Sequence, residues 1–133
     1  MAQWEPAPFV KLMGVKIINR SAERSEAELH IREDLCNRRG VIHGGALMGW
    51  ADTMGGMTAS AALSKDQRTA TIESKTNFFA PIPKGDIARA VCTPLHSGRT
   101  TIVLQTNITR GDGKLAAIVT QTQIVLPVKQ SAD

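Results

Sequence analysis

Apolar and polar positions along the chain sort it into short strands, one apolar central stretch and a run of long strands. Ala27, Leu29 and Ile31 alternate with Glu26, Glu28, His30 and Arg32, the period of two that marks a strand with one buried face. Ahead of it, residues 15–19 form a second β-type run, and residues 20–24 make the turn joining the pair. Residues 9–13, closed by Gly14, predict a short helical turn. Residues 33–42 are polar and irregular, with four charges among the first seven. The texture then changes. Residues 44–63 hold five glycines, five alanines and one charge, with Leu47, Trp50, Met54 and Met57 three to four apart. That spacing predicts a helix, although each glycine costs about 1 kcal/mol relative to alanine. Its apolar character runs almost all the way round, so the helix should be buried on most sides, and its small residues let a curved sheet approach closely.

Four longer strands follow, over residues 69–79, 86–95, 100–109 and 115–125, punctuated by Pro81 and Pro83 and by turns at 97–99 and 111–113. Ile102, Leu104 and Ile108 share one face of the third of these, and Gln105, Asn107 and Thr109 the other. Strands joined by tight turns run antiparallel. The expected fold is α+β: one long antiparallel sheet around one central buried helix, a single domain over residues 1–133 with fraying ends at 1–7 and 127–133.

Composition narrows the function classes. With 133 residues, 42% apolar and 21% charged, the chain is a one-domain globular protein. The net charge of +4 is scattered from Lys11 to Lys129, and two Trp, three Phe and no Tyr leave little for base stacking, so no nucleic-acid partner is expected. Mild positive charge suits a small anionic ligand better. Cys36 and Cys92 make neither a disulfide framework nor a C-x-x-C pair, and no basic-then-apolar leader opens the chain. The longest uncharged stretch, residues 115–128, falls short of the roughly 20 residues a bilayer span needs, and Asp52 interrupts the other apolar region. A cytoplasmic protein with no membrane partner, metal or cofactor is the expectation.

Asp52 is the residue to explain. It is the only formally charged side chain between Arg39 and Lys65. Its neighbours Ala51, Thr53 and Met54 do not make a wet face, and a lone carboxylate in an apolar pocket is a usual way to make a general base or nucleophile. The bland alternative is a solvent stripe or a local cap. His43-Gly44-Gly45 stands where the helix begins, and glycines there let a ligand reach free backbone N–H groups at the positive end of the helix dipole. Such donors can hold a carbonyl oxygen that turns negative during acyl transfer. Taken alone, His43 reads as a capping or packing residue.

Together, Asn37, His43-Gly44-Gly45 and Asp52, followed by Met54-Gly55-Gly56, resemble the hotdog-fold acyl-CoA thioesterases of the PaaI type. The likeness extends over about residues 8–126. It implies a helix wrapped by a sheet, with two subunits joining their sheets into a homodimer with shared active sites, and a tetramer as a dimer of dimers. It implies thioester hydrolysis of an acyl-CoA or aryl-CoA substrate, coenzyme A being part of that substrate. Asp52 would be the general base or nucleophile, and the Gly44 N–H would polarise the thioester carbonyl. Asn37 and His43 would shape the site, and Thr71 would supply a water-positioning hydroxyl. His96-Ser97-Gly98-Arg99 matches the family's hairpin; Arg99 and Lys84, beside glycines at turns, are the candidates for coenzyme A's phosphates, with Ser97 and Gly98 alongside. A hotdog hydratase or dehydratase, and a non-catalytic acyl-CoA-binding protein, are the alternatives.

Spacing adds a constraint. Eight residues along a helix put Gly44 and Asp52 roughly 12 Å apart. A nucleophile and an oxyanion donor must both come within about 3 Å of the reacting centre. One helix cannot supply both to one substrate, but two antiparallel helices across a two-fold axis can.

Overall fold

The computed structural model describes residues 4–128. A short helix α1 (Pro8–Met13) leads into β1 (Lys16–Asn19) and β2 (Ser25–His30), then a 3-10 turn (Glu33–Leu35), the central helix α2 (Gly44–Ser60) and β3 (Gln67–Phe78), β4 (Ile87–Ser97), β5 (Thr101–Thr109) and β6 (Leu115–Pro127). α1 stops at Gly14, whose φ of 81° is a left-handed helix end that suits glycine, and whose missing Cβ leaves room for the Arg32 guanidinium. Arg32 donates to the α1 carbonyls of Met13 (2.6 Å) and Leu12 (3.1 Å), tying the first helix to the segment that follows β2.

The strands form one antiparallel sheet in the order β1-β2-β4-β5-β6-β3. α2 lies against its concave face and touches β2 through β6. Leu47, Trp50, Ala51, Met54 and Met57 of α2 meet Leu29, Ala88, Ala90, Leu104, Ile108, Ala117 and Val119 of the sheet, all at most 3% exposed. The run of alanines on the sheet's inner face, and Gly55 on the helix, let the two layers approach closely. Burying a side chain as large as Trp50 contributes about 3 kcal/mol. This is the hotdog arrangement, a sheet wrapped round one helix.

Two expectations change in detail. α2 ends at Ser60 rather than Leu63, and its covering is incomplete: Gly45, Met48 and Asp52 form an exposed stripe three to four apart. Near both ends the described residues make contacts with the body of the chain. Pro127 pairs with Gln67 at the end of β6, Val128 N–H donates to Asp66, and Trp4 lies under the Arg20 guanidinium at 5.1 Å. Residues 1–3 and 129–133 lie outside the described residues.

β3 occupies a sheet edge. It pairs with β6 along one side, none of its twelve residues is fully buried, and Ile72 and Phe78 are 58% and 55% exposed. A long edge strand with apolar side chains on show is a surface proteins normally cover.

Candidate active site

The loop before α2 is built to present a helix N-terminus. Asn37 turns the chain: its Oδ1 accepts the Arg39 N–H at 2.9 Å, and its own N–H donates to Val41 O at 2.8 Å. His43 is the N-cap, with φ −66° and ψ 135°, and its Nδ1 accepts the Gly45 N–H at 2.8 Å. With Nδ1 accepting, the neutral ring carries its proton on Nε2. His43 O takes the Ala46 and Leu47 N–H groups. The Gly44 N–H has no acceptor among the described residues, so it is a bare donor at the positive end of α2. Gly44 lines a cleft of about 420 Å³ with Asn37, Ile42, Leu47, Phe78 and Phe79.

Asp52 sits two turns further along α2, on its exposed stripe, and lines a different cleft of about 350 Å³. Its surroundings are not the apolar pocket expected from its helix neighbours. Asp52 Oδ1 accepts from Thr71 Oγ1 at 2.7 Å and from Gln121 Nε2 at 3.2 Å, while Thr71 Oγ1 accepts from Gln123 Nε2 at 2.6 Å. Thr71 therefore spends its single hydroxyl proton on the carboxylate, and any water it orients must donate to it. Asp52 Oδ2 makes no hydrogen bond among the described residues. From Asp52 the cleft follows α2 past Thr53, Gly56 and Met57 to Ser60, with Val10 and Trp4 on the other side.

The chain thus brings Asp52 and Thr71 together, and brings Asn37, His43 and Gly44 together, but holds the two groups apart. Both lie on one unbroken helix, about 12 Å from each other along its axis. Ser97, Gly98 and Arg99 make the β4–β5 hairpin. Ser97 pairs with Ile102, Ile102 with Gln123 and Gln123 with Thr71, so the hairpin lies on the row of the sheet that carries Thr71, three strands and about 14 Å away. Lys84 lies at the other end of the molecule: its N–H donates to Gly40 O, and its ammonium is 3.6 Å from Glu33. Arg99 is exposed, with no ion pair among the described residues.

Gln121 and Gln123 are functional candidates that pattern reading passed over. Inward-facing positions of β6 run Ala117, Val119, Gln121, Gln123, and the two amides are each 1% exposed. Two buried amides in succession on an otherwise apolar strand face are the signal that could have found them. Among the described residues no group of three or more His, Cys, Asp or Glu side chains converges as a metal site would, and no helix is long and apolar enough to cross a membrane.

Sequence comparison settles the family. The pattern of the thioesterase superfamily matches residues 39–117, more than half of the chain and the whole span from the α2 entry into β6. The chain belongs to the thioesterase superfamily. A Saccharolobus solfataricus protein, provisionally named an esterase, is 33% identical over 122 residues, covering 92% of this chain and 86% of that protein. A crystal structure of a Haemophilus influenzae thioesterase superposes with a TM-score of 0.86 at 24% identity, covering 94% of this chain and 87% of that one. The Escherichia coli PaaI protein superposes at 0.83 with 20% identity, covering 90% and 85%. Those two likenesses establish the shared hotdog fold. As a member of this superfamily the protein is a hydrolase.

Proposed function

We propose that the protein hydrolyses an acyl-CoA thioester, with Asp52 as general base or nucleophile. The observation that carries this reading is the polar set on Asp52. Thr71 and Gln121 hold one carboxylate oxygen and leave the other without a partner among the described residues, beside a cleft. The bare Gly44 N–H supports a second role, as the donor that takes up negative charge on the thioester oxygen. Because one helix holds these two groups about 12 Å apart, the site is assembled from two chains, Gly44 of one subunit facing Asp52 of the other. The exposed β3 edge is the surface on which two such chains would join, as a homodimer that could pair again into a tetramer. His43 supports the thioesterase over the hydratase reading, since its Nδ1 is committed to capping α2. Arg99 and Lys84 are the proposed partners of coenzyme A's phosphates. Within one chain they lie at opposite ends of β4, so a shared site would draw them from different subunits.

The experiment is a panel of short, medium, long and aryl acyl-CoA esters with trapping of the released thiol. Thiol release is expected with the native protein, and Asp52→Asn, which keeps shape and removes charge, should lower kcat by at least about 100-fold with the fold retained. No thiol release from any ester would refute hydrolysis, and near-normal turnover by Asp52→Asn would remove Asp52 from the mechanism.

A further inference from the structure

The strongest unexplained feature outside the reactive groups is the pair of buried amides beneath Asp52. β6 has no charged residue along its length and is apolar on its inner face up to Val119. At Gln121 and Gln123 it places two amides, each 1% exposed, where it passes under the carboxylate. Gln121 is poorly satisfied as a structural element. Gln121 Oε1 is buried with no hydrogen-bond partner among the described residues, a cost that an apolar side chain would not incur. Room for Gln121 is made by Gly55 in the middle of α2, where a Cβ would stand 1.9 Å from Gln121 Oε1. The helix accepts a glycine at a buried interior position so that this amide can reach Asp52.

We propose that Gln121 and Gln123 are positioning residues for Asp52, acting through a relay of fixed polarity; this rests on Asp52 being the reactive group. An ionised carboxylate only accepts hydrogen bonds, so Gln121 must turn its NH2 toward Asp52, and Thr71 must donate its hydroxyl proton. With that proton spent, Thr71 oxygen can only accept from Gln123, which must also present its NH2. The charge on Asp52 therefore sets the orientation of both amides and the hydroxyl. Both donors reach Oδ1, through contacts of 3.2 Å and 2.7 Å, and Gln123 holds Thr71 at 2.6 Å. Oδ2 is left as the oxygen that meets water or the thioester. Gln121 acts on Asp52 directly, and Gln123 acts only through Thr71.

The test uses the full-length protein in its native assembly, with the acyl-CoA ester turned over fastest in the panel. Gln121→Met, near in volume but without a donor, should lower kcat about 10- to 50-fold while changing KM less than about two-fold. It should also move the acid limb of the kcat profile to higher pH, because a carboxylate that loses a donor is more easily protonated. Among the described residues, Glu5 is the only other titratable group lining the cleft. Arg68, Glu73 and Lys75 are exposed on β3, and Arg20 donates to Ser60 at the cleft's far end, so Asp52 is the group placed to report. Gln123→Met should act in the same direction and supplies the same test if Gln121→Met does not fold. Its effect should vanish in a Thr71→Val background and persist in Thr71→Ser, because the relay runs through the hydroxyl. Wild-type kcat and pH profile in both glutamine variants, or an undiminished effect of Gln123→Met on top of Thr71→Val, would overturn the relay. Asp52→Asn measured alongside separates the two ideas. If it stays active, the reading of Asp52 falls; if it is dead while both glutamine variants behave as wild type, only the positioning role falls.

Discussion

His43 shows how a single side chain can look catalytic and serve the backbone. Its Nδ1 accepts the Gly45 N–H and its carbonyl accepts two more, so the residue completes the first turn of α2 and leaves the Gly44 N–H as the one donor of that turn without an acceptor among the described residues. Losing an N-cap costs about 1 kcal/mol. His43→Ala should therefore lower Tm by about 3–5 °C, and should reduce kcat less than Asp52→Asn does. A loss of turnover equal to or greater than that of Asp52→Asn would make the histidine the base, and would favour a hydratase. Asp52 is legible in the chain because it is the lone charge on an apolar helix. Its surroundings are not, because Thr71 and Gln121 arrive from strands 19 and 69 residues away, and counting neighbours along the helix cannot see them.

At the scale of elements, the alternation of side chains and the spacing on α2 were enough to read six strands and the central helix. Their lateral order was not legible: β3 pairs with β6, and β2 with β4, through contacts that no local period encodes. The strand read over residues 86–95 stops two residues short of the end of β4. A proline closes many strands, but here the register shifts between Pro94 and His96, and the strand continues to Ser97 past an exposed Leu95. The inward glutamines of β6 were hidden in the same way, since polar residues on a strand are ordinarily its wet face. The proposed assembly turns on β3, which has one edge unpaired among the described residues and Ile72 on show. If a second copy covers that edge, Ile72→Lys places a charge in the joint and should shift the protein to monomers by sizing, with its circular dichroism unchanged. Thioesterase activity should fall with the dimer. Monomers that keep full turnover would show that one chain makes a complete site, and a dimer untouched by the charge would place the joint elsewhere.

The whole molecule is organised around one helix that carries the two proposed half-sites. Gly44 opens one cleft and Asp52 another, and no bend in α2 brings them together. The central claim is that two chains complete each other, and the loop geometry offers a clean way to test it. Gly44 is the first residue of α2, a position that tolerates proline, and His43 before it already has the extended backbone that proline requires. Gly44→Pro therefore removes the proposed donor while keeping the helix start. Asp52→Asn removes the proposed base. In a heterodimer of the two variants, one shared site receives both lesions. The other receives an intact Gly44 from the Asp52→Asn subunit and an intact Asp52 from the Gly44→Pro subunit. Heterodimers isolated by differential tags and checked by sizing should hydrolyse acyl-CoA at about half the native rate per dimer, one working site out of two, while either parent homodimer is inactive. Verified heterodimers as inactive as their parents would contradict the shared site.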